Sequence, residues 1–401
     1  MNQSAHGHKK KIGLYLGVKP HSGGMFQYSQ SILEALSELN DLYDVVIVYD
    51  KRDKNWRPIL SRFKLSGITL DNANFWRLII EAFTVFRVPA KIARYLGKRF
   101  NPLLREILAI NCDLWIFPSQ DSLTYQVAMP TIGTIHDLMH RYESDFPEVG
   151  GFFRRKAREH RLKNIAKFCS GILVDSNVGK THVLESYGTS EHNIHVLPYV
   201  YPGYLTDTFE RLDFDSYYQL PAKFLFYPAQ FWEHKNHFRL LEAIKLVSKR
   251  IPDVKIVFSG GVQYGFKKIK EKINSLGLNS IVMIIGHIPD SEMSGFYRRA
   301  RALVMPTFFG PTNIPPLEAM LIGCPVLVSG IYGMKEQCRD AAIYFDPKSV
   351  DDIATAILRI WSDDQLAKKL KSIGFDVSAL NNQKIFNQTL SKIININLKK
   401  Y

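Results

Sequence analysis

Residues Ala302–Met320 read ALVMPTFFGPTNIPPLEAM and combine a strand, an irregular loop and the start of a helix. The first four residues are apolar and are typical of a short buried strand of the kind found in parallel sheets. Two adjacent prolines, Pro315 and Pro316, follow the loop, and proline is favoured in the first turn of a helix. A strand that leads through a loop into a helix is one half of a βαβ unit, so this stretch predicts a parallel α/β sheet.

The same alternation of strand and helix continues along the chain. In the second half, apolar runs predict further strands at Phe224–Tyr227, Val254–Phe258, Ile281–Ile285, Pro325–Val328 and Ala342–Phe345. In the first half, they predict strands at Ile12–Val18, Tyr43–Tyr49, Cys112–Phe117, Thr131–Ile135 and Gly171–Val174. Helical patterns separate most of these runs, as at Phe238–Lys249 and Val350–Trp361. The sequence therefore predicts the α/β class, with two Rossmann-like domains whose parallel sheets face each other across a cleft.

The length of the chain, 401 residues, suits two domains. We place a first Rossmann-like domain at residues 1–200, a linker rich in Tyr, Pro and Asp at 201–222, and a second domain at 223–380. The last segment, 381–401, has apolar residues at helical spacing and predicts a C-terminal helix. Within the first domain, Ser176 and Gly188 predict the start and the end of one helix.

The charge is strongly basic, since 52 Lys and Arg against 38 Asp and Glu give a formal net charge of +14. Such a surplus favours anionic partners, namely nucleic acid, phosphorylated small molecules or an acidic membrane surface. Basic residues concentrate at residues 77–105, where aromatic residues are interspersed, and at 154–167. Both segments suit an anionic bilayer surface, although two solvated helix faces would also explain them. No nucleic-acid-binding motif accompanies the charge, so we predict no nucleic-acid partner.

The sequence lacks the patterns of a membrane-spanning helix, a signal peptide and a cysteine metal site, and these absences indicate where the protein is located and whether it binds a metal. No apolar run approaches the roughly 18 residues of a membrane-spanning helix, and the basic N-terminus lacks the long apolar segment of a signal peptide. The four cysteines are scattered and form no metal-binding spacing, which is typical of free thiols in a reducing cytoplasm. We predict a cytoplasmic protein without a bound metal, with the basic segments as a candidate contact to the inner face of the membrane.

Two features of the first half could contact a ligand. Gly23 and Gly24 follow the first predicted strand and open a helix, where an anion can approach the backbone and the helix N-terminus closely. A tight turn without a ligand would also explain them. His136 follows the predicted strand at Thr131–Ile135, and ligands bind at the carboxyl ends of parallel strands. It could donate a hydrogen bond to a bound hydroxyl group or stabilise developing charge, while a structural histidine is the simpler alternative.

Two features of the second half point to a phosphate-containing ligand. Lys235 follows the first strand of that domain and is placed to meet phosphate oxygens, unless it is a solvated loop lysine. The helix that begins near Ile314 would offer free amides to a diphosphate. Glu318, within the start of this helix, could accept hydrogen bonds from ribose hydroxyls. Of all the patterns in the chain, this loop and helix start are the most specific.

These motifs occur together in a recognisable order: the Gly-Gly turn, Ile135-His136-Asp137, the HKNH segment at His234–His237 and the PPLEAM helix start at Pro315–Met320. In that order they resemble retaining, nucleotide-sugar-dependent glycosyltransferases of the GT-B fold, glycosyltransferase family 4. The resemblance covers nearly the whole chain, and its second half is the specific part. It implies an acceptor-binding first domain, a donor-binding second domain and a C-terminal helix that crosses back to the first domain. It also implies no metal and no cofactor beyond the nucleotide sugar as co-substrate.

The resemblance implies roles for single residues. Gly24, preceded by Gly23, would meet the donor phosphate, and His136 would lie near the transferred sugar. Lys235 would hold the diphosphate, and Glu318 would bind the ribose. The remaining donor-binding positions that it implies are Gln230, Asn313, Ile314, Pro315 and Leu317.

Two positions depart from the family pattern. Gly310 stands where the first Glu of the family's Glu-x7-Glu element would fall, and Gln230 stands where the family usually has an arginine. Each lost charge-assisted hydrogen bond could matter by about 1.5–3 kcal/mol. Either the loop contacts the sugar differently, through Asn313 or Thr312, or the protein is a weakened enzyme. We favour a different loop, because Lys235 and Glu318 are retained.

The resulting expectation is a hexosyltransferase that moves a sugar, with retention, from a nucleoside diphosphate sugar to a hydroxyl of a glycan or lipid-linked glycan. Bacterial surface polysaccharide, O-antigen or lipopolysaccharide synthesis is the expected setting. Front-face attack, in which the leaving diphosphate takes the acceptor proton, relies on positioning and electrostatics and needs no nucleophile or carboxylate pair. The alternatives are a non-catalytic nucleotide-sugar-binding partner subunit and a GT-B-like nucleotide-sugar epimerase. A dinucleotide-dependent oxidoreductase is disfavoured, because no GxGxxG follows the first strand.

Overall fold

The computed structural model describes residues 9–71, 73–205, 211–261 and 265–400, without the side chains of His21, Ala73 and Asn74. Contacts divide the chain into two compact units. The first, here called the N-unit, comprises Met1–His140, Gly150–Pro198 and Gln383–Tyr401. The second, the C-unit, comprises Arg141–Val149 and Tyr199–Asn382. Each unit contains its own parallel sheet.

The sheet of the N-unit has seven strands in the described residues, and all of its pairings are parallel. In chain order the strands are β1 (Lys11–Leu16), β2 (Asp44–Asp50), β3 (Gly67–Leu70), β4 (Leu114–Phe117), β5 (Thr131–Thr134), β6 (Gly171–Val174) and β7 (Ile194–Val196). They lie in the order β3-β2-β1-β4-β5-β6-β7. The strand order therefore reverses between β1 and β4, with successive strands added first on one side of β1 and then on the other. In doubly wound sheets, ligands bind at the carboxyl ends of the strands at such a point.

The sheet of the C-unit has six parallel strands in the described residues. They are β8 (Leu225–Pro228), β9 (Ile256–Ser259), β10 (Val282–Ile284), β11 (Ala302–Met305), β12 (Val326–Ser329) and β13 (Ala342–Phe345). Their order, β10-β9-β8-β11-β12-β13, repeats that of the first six strands of the N-unit, with β8 and β11 at the reversal. The loops that carry Lys235 and Gly310 leave these two strands, so the topology brings both loops to one edge of the sheet.

The helices fill the connections between the strands. In chain order they are α1 (Gly24–Glu38), α2 (Trp56–Arg62), α3 (Ala73–Val85), α4 (Ala90–Phe100), α5 (Pro102–Ala109), α6 (Leu123–Gln126), α7 (Met139–Tyr142), α8 (Phe152–Phe168), α9 (Asn177–Tyr187), α10 (Phe214–Tyr218), α11 (His237–Ser248), α12 (Phe266–Leu276), α13 (Asp290–Arg299), α14 (Ile314–Ile322), α15 (Met334–Cys338), α16 (Val350–Ser362), α17 (Asp364–Ala379) and α18 (Gln383–Leu398). No described helix is long and apolar enough to cross a bilayer. The four cysteines are buried and free.

The predicted fold class, two Rossmann-like domains with parallel sheets, is confirmed. Most strands lie within one or two residues of their predicted bounds, while β3 and β7 were not predicted. Both are short, with four and three residues, and only one residue in each is fully buried. A short, half-exposed strand carries too little apolar pattern to be distinguished from a loop.

The ends of α9 show how local sequence sets a helix boundary. The Ser176 hydroxyl accepts a hydrogen bond from the Gly179 amide at 3.0 Å, which satisfies a free donor of the first turn. Gly188 ends the helix in the left-handed conformation, with φ 59°. Both predicted boundary residues are therefore confirmed.

The last helix, α18, belongs to the N-unit and packs on α1. The Gln383 amide donates to the Ser31 carbonyl at 2.8 Å, and the Asn387 amide donates to the Glu38 carboxylate at 2.6 Å. Between these bonds Phe386 is buried, with its ring 5.9 Å from the ring of Tyr28. The C-terminal segment therefore completes the apolar cover of α1.

Two segments differ from the predicted domain boundaries. The predicted linker at 201–222 is part of the C-unit as far as it is described; residues 206–210 of it lie outside the described residues. Its helix α10 packs on α13, with the rings of Phe214 and Phe296 4.9 Å apart. Residues Arg141–Val149, which we call the strap, also group with the C-unit, although the chain on either side belongs to the N-unit. Aromatic residues explain both differences, because the partly buried rings of Phe146 and Phe214 pack against other rings of the C-unit.

Candidate active site

The predicted glycine turn of the N-unit lies after β1. Gly23 adopts φ 58° between a short turn and α1, and Gly24 is the first residue of the helix. A Cβ at Gly23 would meet no atom within 4 Å, so the backbone conformation, and not a lack of space, requires glycine there. Both glycines are exposed, which leaves the N-terminus of α1 open to a ligand.

His136 follows β5 and is buried, with 7% of its surface exposed. Its Nε2 lies 3.0 Å from the carbonyl oxygen of Pro118, and the ring of Tyr28 packs edge-on at 5.3 Å. Because a carbonyl can only accept, Nε2 carries the proton. Burial lowers the pKa of His136 to about 4, so the ring is neutral at physiological pH. Donation of a hydrogen bond from Nε2 to a ligand would compete with the Pro118 carbonyl, and both predicted actions of His136 stay predictions.

The backbone around His136 is held by polar side chains. With its oxygen facing the loop, the Gln120 amide accepts hydrogen bonds from the backbone amides of His136 at 2.8 Å and Asp137 at 3.1 Å. Asp137 accepts from the Met139 amide at 2.9 Å and pairs with Arg158. Burial alone would raise the pKa of Asp137, but Arg158 and these hydrogen bonds outweigh it and lower the pKa. The loop after β5 is therefore fixed, with an ionised carboxylate beside a neutral histidine.

Lys235 lies in the loop between β8 and α11 of the C-unit and is partly exposed. Its carbonyl accepts a hydrogen bond from the Tyr227 hydroxyl at 2.8 Å, which fixes its backbone. Among the described residues, its ammonium group has no hydrogen-bond or ion-pair partner. Burial lowers the pKa of Lys235 to about 8, and the negative charge of Glu148 opposes that change. A lysine in this state is a cation available to an anionic ligand.

The loops after β8 and β11 are joined to each other. Asn236, in the left-handed conformation with φ 60°, donates from its amide to the carbonyls of Pro306 at 3.0 Å and Pro347 at 2.8 Å. The Phe308 amide donates to the His234 carbonyl at 2.9 Å. The His234 ring also stacks on the Phe309 ring, with centroids 4.1 Å apart. The structure therefore places the loop of Lys235 against the loop of Gly310.

The loop between β11 and α14 is shaped by Gly310 and Asn313. Gly310 has φ 90°, and a Cβ there would lie 2.7 Å from the Thr312 carbonyl oxygen, so only glycine fits. The Asn313 amide group donates to the Phe309 carbonyl at 3.2 Å. Gln337 bonds both the amide (3.1 Å) and the carbonyl (2.7 Å) of the Asn313 backbone. The Asn313 side chain, suggested above as a sugar contact, thus serves the loop itself, and Gly310 is part of a defined conformation.

The N-terminus of α14 offers fewer donors than the sequence suggested. Ile314 is the first helical residue, followed by Pro315 and Pro316. Proline has no N–H, so only Ile314 and Leu317 can present backbone amides in the first turn. Pro315 therefore cannot bind a phosphate as a hydrogen-bond donor. Its contribution is to fix the backbone of the first turn.

Glu318, one turn further along α14, is buried with 4% of its surface exposed. One carboxylate oxygen accepts from the Tyr204 hydroxyl at 2.8 Å, and the other accepts from the Tyr297 hydroxyl at 2.6 Å. Burial raises the pKa of Glu318, and these two hydrogen bonds oppose the rise. Each carboxylate oxygen can accept a second hydrogen bond, so the predicted contact to ribose hydroxyls fits beside the tyrosines or in place of one.

Gln230, which stands in place of the family's arginine, accepts a hydrogen bond from the Trp232 indole at 2.7 Å. It contributes no charge to the loop. Among the described residues, no group of three or more His, Cys, Asp or Glu side chains is placed to hold a metal ion.

The structure adds four residues that sequence reasoning missed: Glu148, Tyr204, Tyr297 and Gln337. Tyr204 and Tyr297 are 114 and 21 residues from Glu318 along the chain, so no local pattern links them to it. Glu148 had a weak signal, because the irregular segment RYESDFPEVGG at 141–151 is long for a loop between a strand and a helix.

Parts of the chain are similar in sequence to known proteins. Residues 209–376 match the family model Glycosyl transferases group 1, so this part of the C-unit is a domain of that type. The chain is 22% identical to mannosylfructose-phosphate synthase of Agrobacterium fabrum over 63% of its own length and 60% of that protein. It is 26% identical to the O-antigen chain mannosyltransferase RfbU of Salmonella typhimurium over 57% of its own length and 60% of that protein. The chain thus spans three fifths of the length of these two relatives.

Solved structures resemble the chain over nearly its whole length. Anabaena Alr3699/HepE in complex with UDP and glucose superposes with a TM-score of 0.73, at 17% identity, over 96% of this chain and 99% of that chain. Sucrose-phosphate synthase from Thermosynechococcus elongatus superposes with a TM-score of 0.73, at 18% identity, over 98% and 100%. At such low identity the likeness concerns the fold, which is the GT-B fold of glycosyltransferases.

Proposed function

We propose that this protein is a retaining hexosyltransferase of glycosyltransferase family 4 that uses a nucleoside diphosphate sugar and a glycan or lipid-linked glycan acceptor. Bacterial surface polysaccharide, O-antigen or lipopolysaccharide synthesis is the proposed setting. The observation that carries the proposal is the ammonium of Lys235, which has no hydrogen-bond or ion-pair partner among the described residues and lies in a loop bonded to the loop that opens α14. The match of residues 209–376 to Glycosyl transferases group 1 and the mannosyltransferase relatives support it.

The proposed chemistry uses the C-unit to hold the leaving group. Lys235 and the amides of Ile314 and Leu317 would bind the diphosphate, and Glu318 would bind the ribose. The bond between the anomeric carbon and the diphosphate oxygen breaks, and the acceptor oxygen forms its bond on the same face of the sugar. The acceptor proton passes to the leaving diphosphate, and stabilisation of that group supplies most of the rate enhancement. No metal takes part in this scheme. A sugar-contact role for His136 stays a prediction.

A ligand panel tests the proposal directly. We expect one of UDP-, GDP-, dTDP- or ADP-hexose to raise the melting temperature, since a ligand at about one hundred times its Kd stabilises a protein by roughly 2.7 kcal/mol. The same nucleotide sugar, with a glycan acceptor, should give a product whose anomeric configuration, read by NMR, is that of the donor. Binding without turnover by the purified protein would favour a partner subunit, and a changed sugar without acceptor would favour an epimerase. No shift with any member of the panel would contradict the donor site.

The N-unit carries a surface that fits a membrane partner. On α4, Lys91, Ile92, Tyr95, Lys98 and Arg99 are all exposed and fall within an arc of about 120° at 100° per residue. Ile92 and Tyr95 expose 49% and 69% of their surface, and Phe86, just before α4, exposes 79%. Apolar side chains flanked by cations on one helix face are the pattern of a helix that lies on an anionic bilayer.

The start of α8 carries the same combination of exposed aromatic and basic residues. Phe152 and Phe153 are exposed by 67% and 81%, and the next three residues are exposed cations. His160 of α8 donates to the Val88 carbonyl at 3.2 Å, which fixes α8 beside the turn between α3 and α4. Phe152 lies about 12 Å before His160 along the helix. We call α4, Phe86 and the start of α8 the basic-aromatic surface and propose an anionic bilayer as its partner.

Vesicle sedimentation tests the basic-aromatic surface. We expect the protein to bind phosphatidylglycerol vesicles, to bind phosphatidylcholine vesicles much less, and to be released by salt. Replacing Lys91, Lys98 and Arg99 by glutamine should lower binding more than a hundredfold, at about 1 kcal/mol per cation. The matched control replaces the exposed lysines Lys249, Lys267 and Lys270 of the C-unit by glutamine and should leave binding unchanged. Equal loss in both variants, or no binding by the wild type, would contradict a defined membrane face.

A further inference from the structure

The loop between β11 and α14 has no acidic residue, since residues 306–313 read PTFFGPTN. The strap brings a carboxylate, that of Glu148, close to this region. The Phe146 ring lies 5.2 Å from the Phe308 ring and 5.3 Å from the Phe309 ring. Glu143 accepts a hydrogen bond from the Tyr332 hydroxyl at 2.6 Å. The strap thus contacts the loop between β11 and α14 through Phe146 and the loop after β12 through Glu143, and Glu148 follows these residues closely in the sequence.

Glu148 contacts the loop of Lys235 at the two residues that directly precede this lysine. One carboxylate oxygen, Oε1, accepts hydrogen bonds from the backbone amides of Glu233 at 2.5 Å and His234 at 3.4 Å. The side chain is only 11% exposed. The other oxygen, Oε2, is buried and has no hydrogen-bond partner among the described residues. A buried carboxylate oxygen without a donor is costly, so it marks a place where a ligand can supply one.

The charge of Glu148 restricts the chemistry of that ligand. Burial raises the pKa of Glu148, but the hydrogen bond and charge of His234, together with backbone amides, outweigh it and lower the pKa, so the group is ionised at neutral pH. An ionised carboxylate accepts hydrogen bonds and repels phosphate. Lys235 feels the charge of the same carboxylate. The site thus offers a cation for an anionic group and, beside it, an acceptor for a neutral hydroxyl.

We propose that Glu148 is the sugar-binding carboxylate of this site: Oε1 holds the loop of Lys235, and Oε2 accepts a hydrogen bond from a hydroxyl of the donor sugar. This inference rests on the proposed function and names the group that selects the sugar. A nucleoside diphosphate without its sugar would leave Oε2 unpaired. The contribution of Glu148 should therefore appear only with the intact nucleotide sugar.

The test compares Glu148→Gln with Glu143→Gln, a matched change on the same strap. Calorimetry measures binding of UDP and UDP-glucose, and of GDP and GDP-mannose. Consider the nucleotide sugar that binds the wild type. We expect Glu148→Gln to weaken its binding by roughly tenfold to a hundredfold, and to weaken binding of the corresponding free nucleoside diphosphate by less than about threefold. Glu143→Gln should change neither. If Glu148→Gln weakens both ligands equally, Glu148 only positions the loop and the proposal is wrong; it is equally wrong if neither changes.

Deoxy analogues of the bound nucleotide sugar provide a second measurement on folded wild-type protein. One deoxy analogue should bind the wild type roughly tenfold or more weakly than the parent sugar, and this loss should vanish in Glu148→Gln, because both changes remove the same hydrogen bond. Additive losses would place that hydroxyl against another residue and overturn the assignment. If no nucleotide sugar of the earlier panel binds the wild type, the proposed function itself fails, and that outcome is distinct from every result above.

Discussion

Replacing Lys235 by alanine is expected to lower kcat/KM for sugar transfer about a hundredfold while the protein stays folded. The lysine contributes its ammonium group to no hydrogen bond or ion pair among the described residues, so its removal breaks no internal contact. What is lost is stabilisation of the leaving diphosphate, and removing one such contact typically costs a factor of about one hundred to one thousand in rate. Steady-state kinetics with the donor found in the panel measures this loss, and the melting temperature reports the fold.

The protonation state of Lys235 should determine how kcat/KM for sugar transfer depends on pH. Burial lowers its pKa to about 8, and the protonated form is the one that binds the diphosphate. Below about pH 8 the ammonium is present in the free enzyme, so kcat/KM should be flat on this account. Above it, kcat/KM should fall by about tenfold per pH unit. Lys235→Arg keeps its charge at every accessible pH and should remove this basic limb, whatever its absolute rate.

Lys268→Ala is the matched control for Lys235→Ala. Lys268 is an exposed lysine of the same unit that pairs with Glu233 at 3.2 Å, two residues before Lys235. An exposed pair of this kind contributes little, so the control should keep nearly full activity. Comparable loss in the two variants, or near-wild-type transfer by Lys235→Ala, would contradict the assignment of Lys235 to the diphosphate.

Gly310→Ala is expected to produce the second large effect, a loss of transfer of about a hundredfold, because a displacement of 1 Å in a binding loop can cost that much. The added Cβ would lie 2.7 Å from the carbonyl oxygen of Thr312. This oxygen belongs to the backbone, so a change of side-chain rotamer cannot relieve the clash. The loop must therefore shift, at a cost of about 1–3 kcal/mol in strain. Transfer kinetics and donor calorimetry measure the effect.

Gly286→Ala separates strain from displacement. Gly286 lies on the loop after β10 and has φ 74°, but a Cβ there would meet nothing within 4 Å. Its substitution should cost about 1–2 kcal/mol in stability and leave transfer intact. If Gly310→Ala behaves like Gly286→Ala, the loop conformation at Gly310 does not matter for donor binding.

Gly310→Glu decides between the two interpretations of this departure from the family pattern. A weakened enzyme would regain activity when the missing carboxylate is restored. A loop built around glycine would lose activity, since every side chain introduces the same Cβ. We expect a loss at least as large as that of Gly310→Ala, because the loop is bonded through Asn313 and Gln337 in its present conformation.

The fold could be predicted from the sequence because buried strands of a parallel sheet carry a dense apolar signal. Ala302–Met305 and Ala342–Phe345 were predicted with the bounds that the structure gives. The strand at Gly67–Leu70 was missed because only Leu70 in it is fully buried. Where burial is partial, the pattern that marks a strand weakens.

The candidate site was only partly predictable. Lys235 and Glu318 could be predicted because each belongs to a recognisable sequence motif that follows a predicted strand. Their surroundings come from distant parts of the chain: Tyr204 lies 114 residues before Glu318, and the contact of Glu148 with the Glu233 amide spans 85 residues. Such partners depend on tertiary packing. The neutral state of His136 likewise depends on its burial and on the Pro118 carbonyl, and no motif encodes either.

The assignment of the strap and of α18 has a practical consequence for dissecting this protein. Neither unit is one continuous piece of chain, because the strap interrupts the N-unit and α18 returns to it after the C-unit. An expression fragment that stops at residue 200 would lack the helix that covers Tyr28 and Ser31 and would carry Phe146 without its aromatic neighbours. A fragment cut to the family match, 209–376, would lack Glu148 and Tyr204. Binding studies on either fragment would describe a different site, so the intact chain is the smallest meaningful reagent.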